Sequence, residues 1–124
     1  MMISIATQTE AVMKILDSVN DKGKLAKMST VFGGNFLKAV VDIRLGKIAV
    51  DAELHADLEA MLLGSGSAQE DLWGINFYPG EVGDSFIEFD SLINIRPKQD
   101  NPSRDILDSE IRKKVVSVVN QWIK

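Results

Sequence analysis

The sequence predicts an α+β domain: a single, mostly antiparallel sheet of about four strands with helices packed on one face. Apolar residues recur at every second position across residues 36–51 and 71–96. Three other segments repeat them at helical spacing, and the links between neighbouring strands have hairpin length.

The elements follow in order. Thr7 and Glu10 have capping-box spacing ahead of a stripe of Val12, Ile15, Leu16 and Val19, so a first helix is expected over about 7–20. Residues Asp21 to Asn35 mix lysines with isolated apolar residues and end at Gly33-Gly34, which predicts a loop with room for one helical turn. From Phe36 to Arg44 the period is two, with Leu37, Ala39, Val41 and Ile43 on one face and Lys38, Val40, Asp42 and Arg44 on the other. Leu45-Gly46 supplies a turn, and Lys47 to Asp51 returns as a second strand. Leu54, Leu58, Met61 and Leu62 then predict a short helix ending at Gly64, with His55 and Glu59 on its opposite face.

Asp71–Tyr78 and Ser85–Arg96 form a second hairpin across the turn formers of 79–84. Matching apolar face to apolar face sets Asn76 opposite Phe86 or Glu88. The later strand is long for its kind, so a bulge or bend is expected near Asp90-Ser91. Pro97 stops it, Lys98–Arg104 is a polar loop, and a last helix runs from its cap at Asp108 to Ile123. The sheet and short helix thus occupy about 36–97, and the whole of 1–124 reads as a single domain, with 45% hydrophobic residues to fill one core.

Charge is segregated along the chain. The forty-eight positions between Lys47 and Arg96 hold ten carboxylates and no lysine or arginine, while the flanks carry all fourteen basic residues against the other eight acids. Such a block draws amines and cations, and a pI near 4.9 argues against nucleic acid as a partner. Without cysteine there is no thiolate chemistry. A cytoplasmic location is expected, with no leader and no membrane segment.

Three clusters are candidates for chemistry. Asn76, Tyr78, Glu88, Asp90, Asn94 and Arg96 share the polar face of the second hairpin, about 7 Å apart along each strand, and would make one patch for a small polar ligand. The plainer alternative is a solvated sheet face. The second cluster is His55 with Glu53, Asp57 and Glu59: His55 and Glu59 are one helical turn apart and could share a divalent metal, or His55 could act as a general base. A structural histidine is the alternative. Third, Arg96 and Arg104 flank a rigid loop with Asn101 and Ser103 that would suit a phosphate or carboxylate, unless the arginines answer the neighbouring acids. No nucleophile elbow, Walker loop or dinucleotide fingerprint occurs.

The blocks Glu53-Leu54-His55-Ala56-Asp57, Asp71-Leu72-Trp73-Gly74-Ile75-Asn76 and Ser91-Leu92-Ile93-Asn94-Ile95-Arg96-Pro97 resemble a small prokaryotic domain family catalogued only as a domain of unknown function. The resemblance covers roughly Phe36 to Asp108. It implies a freestanding single domain and brings no activity with it. The leading expectation is therefore a binding or interaction module with an acidic, amide-rich groove for a small polar ligand or a protein partner. The alternatives are a metal-assisted or acid–base hydrolase using His55 and its neighbouring carboxylates, and a homo-oligomer with the sheet face as its interface. Whether the chain is an enzyme stays open at this point; no cofactor is assigned, a divalent metal being the one the pattern admits.

Overall fold

A computed structural model describes residues 13–124. Its elements are β1 (Lys14–Ile15), α1 (Lys22–Met28), β2 (Leu37–Asp42), β3 (Lys47–Val50), α2 (His55–Gly64), β4 (Leu72–Phe77), β5 (Ile87–Glu88) and α3 (Ser109–Trp122). The five strands form one antiparallel sheet in the order β1-β3-β2-β4-β5. The α+β class and the antiparallel sheet are as expected, with one strand more than anticipated.

Sequence chemistry explains the joints. Asp42 closes the β2–β3 loop by accepting hydrogen bonds from the Arg44 and Leu45 backbone N–H groups at 2.9 and 2.8 Å. Gly46 then takes φ +69°, which glycine adopts without a Cβ penalty. The loop therefore spans four residues, since Asp42 pairs with Lys47. Asp108 caps α3 by accepting from the Glu110 N–H at 2.8 Å, and Asp21 caps α1 by accepting from the Lys24 N–H at 2.7 Å.

The helices cover both faces of the sheet, not one. Leu37, Ala39, Val41, Trp73, Ile75 and Phe77 face a layer holding Val115, Val118 and Val119 of α3 and Leu25 of α1. Val40, Ala49 and Leu72 face the other way, onto Leu58 and Leu62 of α2. The cause is visible in the central strands: β4 is buried at every position and β2 at all but Lys38. A strand buried on both faces needs a cover on each. Each fully buried leucine of α2 contributes about 1.5–3 kcal/mol, enough to hold a ten-residue helix that would be marginal alone.

Three other expectations fail. The helix over 7–20 does not form in its described part; residues 7–12 lie outside the described residues. Lys14–Ile15 pairs with Val50 and Ala49, and Leu16 N–H donates to Ile48 C=O. Ile15 packs in the α2 layer and Leu16 in the α3 layer, an alternation of period two hidden inside the helical spacing. Conversely, the expected loop at 21–35 contains the seven-residue α1, whose Leu25 is fully buried.

The largest departure is at Ser85–Arg96. Only Ile87–Glu88 pairs as a strand, with Asn76 opposite Glu88, one of the two registers expected. The chain then leaves the ladder. Ser91 N–H donates to Arg104 C=O, the Ser91 hydroxyl accepts from Ile93 N–H, and a 3₁₀ turn over Leu92–Asn94 lies against the sheet. Asn94 takes the vacated strand's place. Its Oδ1 accepts from the Gly74 N–H at 2.8 Å and its Nδ2 donates to the Gly74 C=O at 2.9 Å. One side-chain amide thereby satisfies the two backbone groups that a longer β5 would have paired.

Candidate functional site

Because the 88–93 segment folds over β4 instead of continuing beside it, a cavity of about 550 Å³ opens between the sheet, the start of α2 and that segment. β2 contributes Lys38, with Phe36 just ahead of it; β4 contributes Asn76, with Tyr78 beyond. Lys38 and Asn76 are direct cross-strand partners. The helix brings Leu54, His55 and Ala56, while Glu88, Asp90, Leu92 and Ile93 close the remaining side with Arg104.

Asn76 is only 4% exposed, and its amide orientation is fixed by two acceptors: Nδ2 donates to Glu88 Oε1 at 2.8 Å and to the Asp90 C=O at 3.1 Å. Its Oδ1 is buried with no hydrogen-bond partner. An unpaired buried carbonyl costs on the order of 1–3 kcal/mol; Trp73 Nε1 and Arg96 Nη1 are also buried without a partner, and of the three only Asn76 belongs to the cavity lining. Glu88 Oε1 also accepts from the Tyr78 hydroxyl at 3.2 Å. Desolvation, then the Glu88 charge, raises the Tyr78 pKa, so the phenol stays protonated as a donor.

His55, at 8% exposure, opens α2. Its Nε2 lies 2.8 Å from the Ile75 C=O. A carbonyl only accepts, so Nε2 carries the proton and Nδ1 of the neutral ring is an acceptor. Burial lowers the pKa below 6.5; the hydrogen bond to Ile75 raises it, Lys38 lowers it, and Asp90 and the adjoining Asn76 amide raise it, without reversing the outcome. The folded form therefore prefers neutral imidazole. Its contribution to stability is fully present above pH 6.5, the unfolded value, and is lost as pH falls through the lower folded pKa. Thermal unfolding across that window is expected to show an acid-side drop in wild type that His55→Gln lacks; equal drops in the two proteins would contradict the assignment.

The expected ligand face divides in two. Asn76, Tyr78, Glu88 and Asp90 line the cavity together, and Arg104 joins them, its Nε 2.6 Å from Asp90 Oδ1. Asn94 and Arg96 do not line it. Asn94 is consumed by Gly74, and it also donates to the Arg104 C=O. Arg96 pairs with Glu59 at 3.4 Å, donates to the Leu72 C=O, and stacks with its guanidinium carbon 4.9 Å from the Trp73 ring centre. Burial lowers the Arg96 pKa while the Glu59 charge supports the guanidinium, which remains charged.

The acids grouped with His55 do not meet it. Glu53 and Asp57 are exposed and outside the cavity lining, and Glu59 is tied to Arg96. Among the described residues, no group of three or more His, Asp and Glu side chains is close enough to hold a metal ion. The cavity is not acidic either: Lys38 and Arg104 match Glu88 and Asp90 in formal charge. The sheet face expected to serve as an oligomer interface is covered by α2 and the 91–94 turn. Lys38, Phe36, Leu54, Ala56, Ser91, Leu92 and Ile93 were not among the expected site residues. Lys38 alone left a signal, as the polar residue of the β2 face that Asn76 adjoins.

No described helix is long and apolar enough to cross a membrane. Comparison with curated proteins and with solved structures finds no match. A family model described as a protein of unknown function, DUF5674, matches residues 14–122, extending on both sides of the 36–108 stretch that carried the resemblance. A match over that much of the chain shows that this protein belongs to the DUF5674 family.

Proposed function

We propose that this protein binds a small polar ligand in the cavity between β2, β4, the start of α2 and the 88–93 segment. The observation that carries the reading is Asn76 Oδ1, a fully buried acceptor left without a partner where the cavity is lined by His55, Tyr78 and Glu88. Polar groups of this kind are satisfied in folded proteins, by solvent or by ligand. The volume of about 550 Å³ falls within the range of small-molecule sites, and the lining combines apolar walls with a few convergent polar groups.

A fragment screen followed by NMR tests this directly. His55 is the chain's single histidine, so its ring resonances report the cavity without ambiguity. Fragments are expected that shift both the His55 ring and the Asn76 side-chain NH₂ signals. Ala56→Phe, at an exposed position on the cavity wall, should keep the fold and lose those shifts. A broad screen in which no fragment moves either signal, or in which Ala56→Phe binds the same fragments equally well, would overturn the reading.

A further inference from the structure

We propose that the ligand carries an uncharged NH₂ group on an sp² carbon, as in a primary carboxamide or an aminoheterocycle, and that this group bridges Asn76 Oδ1 and His55 Nδ1. The inference rests on the cavity being a ligand site and deepens that reading. Its basis is the hydrogen-bond inventory of the lining. Asn76 spends both amide protons on Glu88 and Asp90, so it offers the cavity only an acceptor. His55 spends its one proton on Ile75, so its other nitrogen is also an acceptor. Two acceptors on adjoining side chains repel each other unless a donor with two hydrogens lies between them.

Charge decides among such donors. The lining holds Lys38 and Arg104 against Glu88 and Asp90 and is formally neutral: Asp90 pairs with Arg104, and Glu88 Oε1 accepts from the neutral Asn76 and Tyr78 donors. An ammonium would enter beside Lys38 and leave the lining with one positive charge in excess, and burying an uncompensated charge is costly. A carboxylate would set further acceptors against Oδ1 and Nδ1. A neutral NH₂ meets both atoms and leaves the ligand's own carbonyl or ring nitrogen to accept from Lys38. The remaining walls suit a flat apolar body: Phe36 and Tyr78 meet edge to face with centroids 5.2 Å apart, and Leu54 and Leu92 stand at the rim, 56% and 66% exposed.

The experiment is a titration of the intact chain, followed through the His55 ring and Asn76 side-chain signals, with five probes: benzamide, adenine, N,N-dimethylbenzamide, benzylamine and benzoate. Benzamide or adenine is expected to bind, and whichever binds more tightly identifies the carboxamide or the aminoheterocycle source. N,N-dimethylbenzamide, which keeps the ring and carbonyl but has no N–H, is expected to bind at least about tenfold more weakly than benzamide. Benzylamine or benzoate shifting those signals at lower concentration than benzamide and adenine would overturn the NH₂ assignment while leaving the cavity a ligand site. Equal affinity for benzamide and its dimethyl derivative would overturn it as well. Silence from all five probes alongside hits in the broad screen overturns this inference only; silence in both overturns the site.

Discussion

Asn94→Ala is expected to lower the stability of the fold by about 3–5 kcal/mol, although the residue carries no charge and touches no candidate ligand. The substitution strands two groups at once, the Gly74 N–H and the Gly74 C=O, now 2.8 and 2.9 Å from the Asn94 amide, and it also removes one of the two hydrogen bonds to the Arg104 C=O, which keeps the Ser91 N–H. Each orphaned group costs on the order of 1–3 kcal/mol, and partial access of water recovers some of it. Asn94→Asp offers no rescue, since a carboxylate would still accept from Gly74 N–H but would confront the two carbonyls. Urea unfolding of both variants measures the loss, and hydrogen exchange at the Gly74 amide supplies an independent reading. A loss under about 1 kcal/mol for Asn94→Ala would mean that Asn94 is not what completes β4.

Gly74→Ala comes next in size, at about 2–3 kcal/mol. A Cβ at Gly74 would lie 2.5 Å from both the Cβ and the Oγ of Ser91 and 3.1 Å from Ile93 Cγ1. Real structures do not tolerate the first two contacts, so the 91–94 turn must lift from the sheet and loosen Asn94 with it. Ser91→Gly in the same chain removes the two shortest contacts and leaves the one to Ile93 Cγ1, so the double variant is expected to recover more than half of the loss. That coupling, read from a double-mutant cycle of unfolding free energies, separates a steric clash from a general intolerance of side chains in β4. Additive losses would contradict the close approach.

Both effects arise in the segment that the sequence disguises most completely. Ile87, Phe89, Ser91, Ile93 and Ile95 alternate with Glu88, Asp90, Leu92, Asn94 and Arg96 as in a continuous strand, yet the ladder ends at Glu88. Alternation records which residues face inward, and a turn laid against the sheet also needs inward residues at intervals. What ends the ladder is long-range chemistry: Ser91 bonding to Arg104 and the Asn94 amide reaching Gly74. No local pattern announces either.

Where one segment met one environment, the reading was secure. Asp108 caps α3 because its carboxylate and the following apolar stripe are both local, and matching faces on a hairpin narrowed the partner of Asn76 to Phe86 or Glu88, of which the ladder takes Glu88. The stripe ending at Val19 misled because Ile15 and Leu16 serve opposite layers of the sheet. The site was legible in half. Asn76, Tyr78, Glu88 and Asp90 share a face by periodicity, whereas Lys38 reaches them only through the β2–β4 pairing, which joins residues far apart in the chain. His55 was visible as a residue but not as a buried one. Its Nε2 bond to Ile75 depends on how α2 crosses the sheet.

Asn94 also bears on how this chain behaves in company. An exposed strand margin with free N–H and C=O groups is a template on which another molecule can add a strand and begin a fibril. Here β5 offers two residues, and beyond it the Gly74 groups are claimed by a side chain rather than by a strand with an outer edge of its own. An amide side chain ends the pairing without passing it on. The same residue that opens room for a cavity thus makes that margin of the sheet a poor seed for polymerisation.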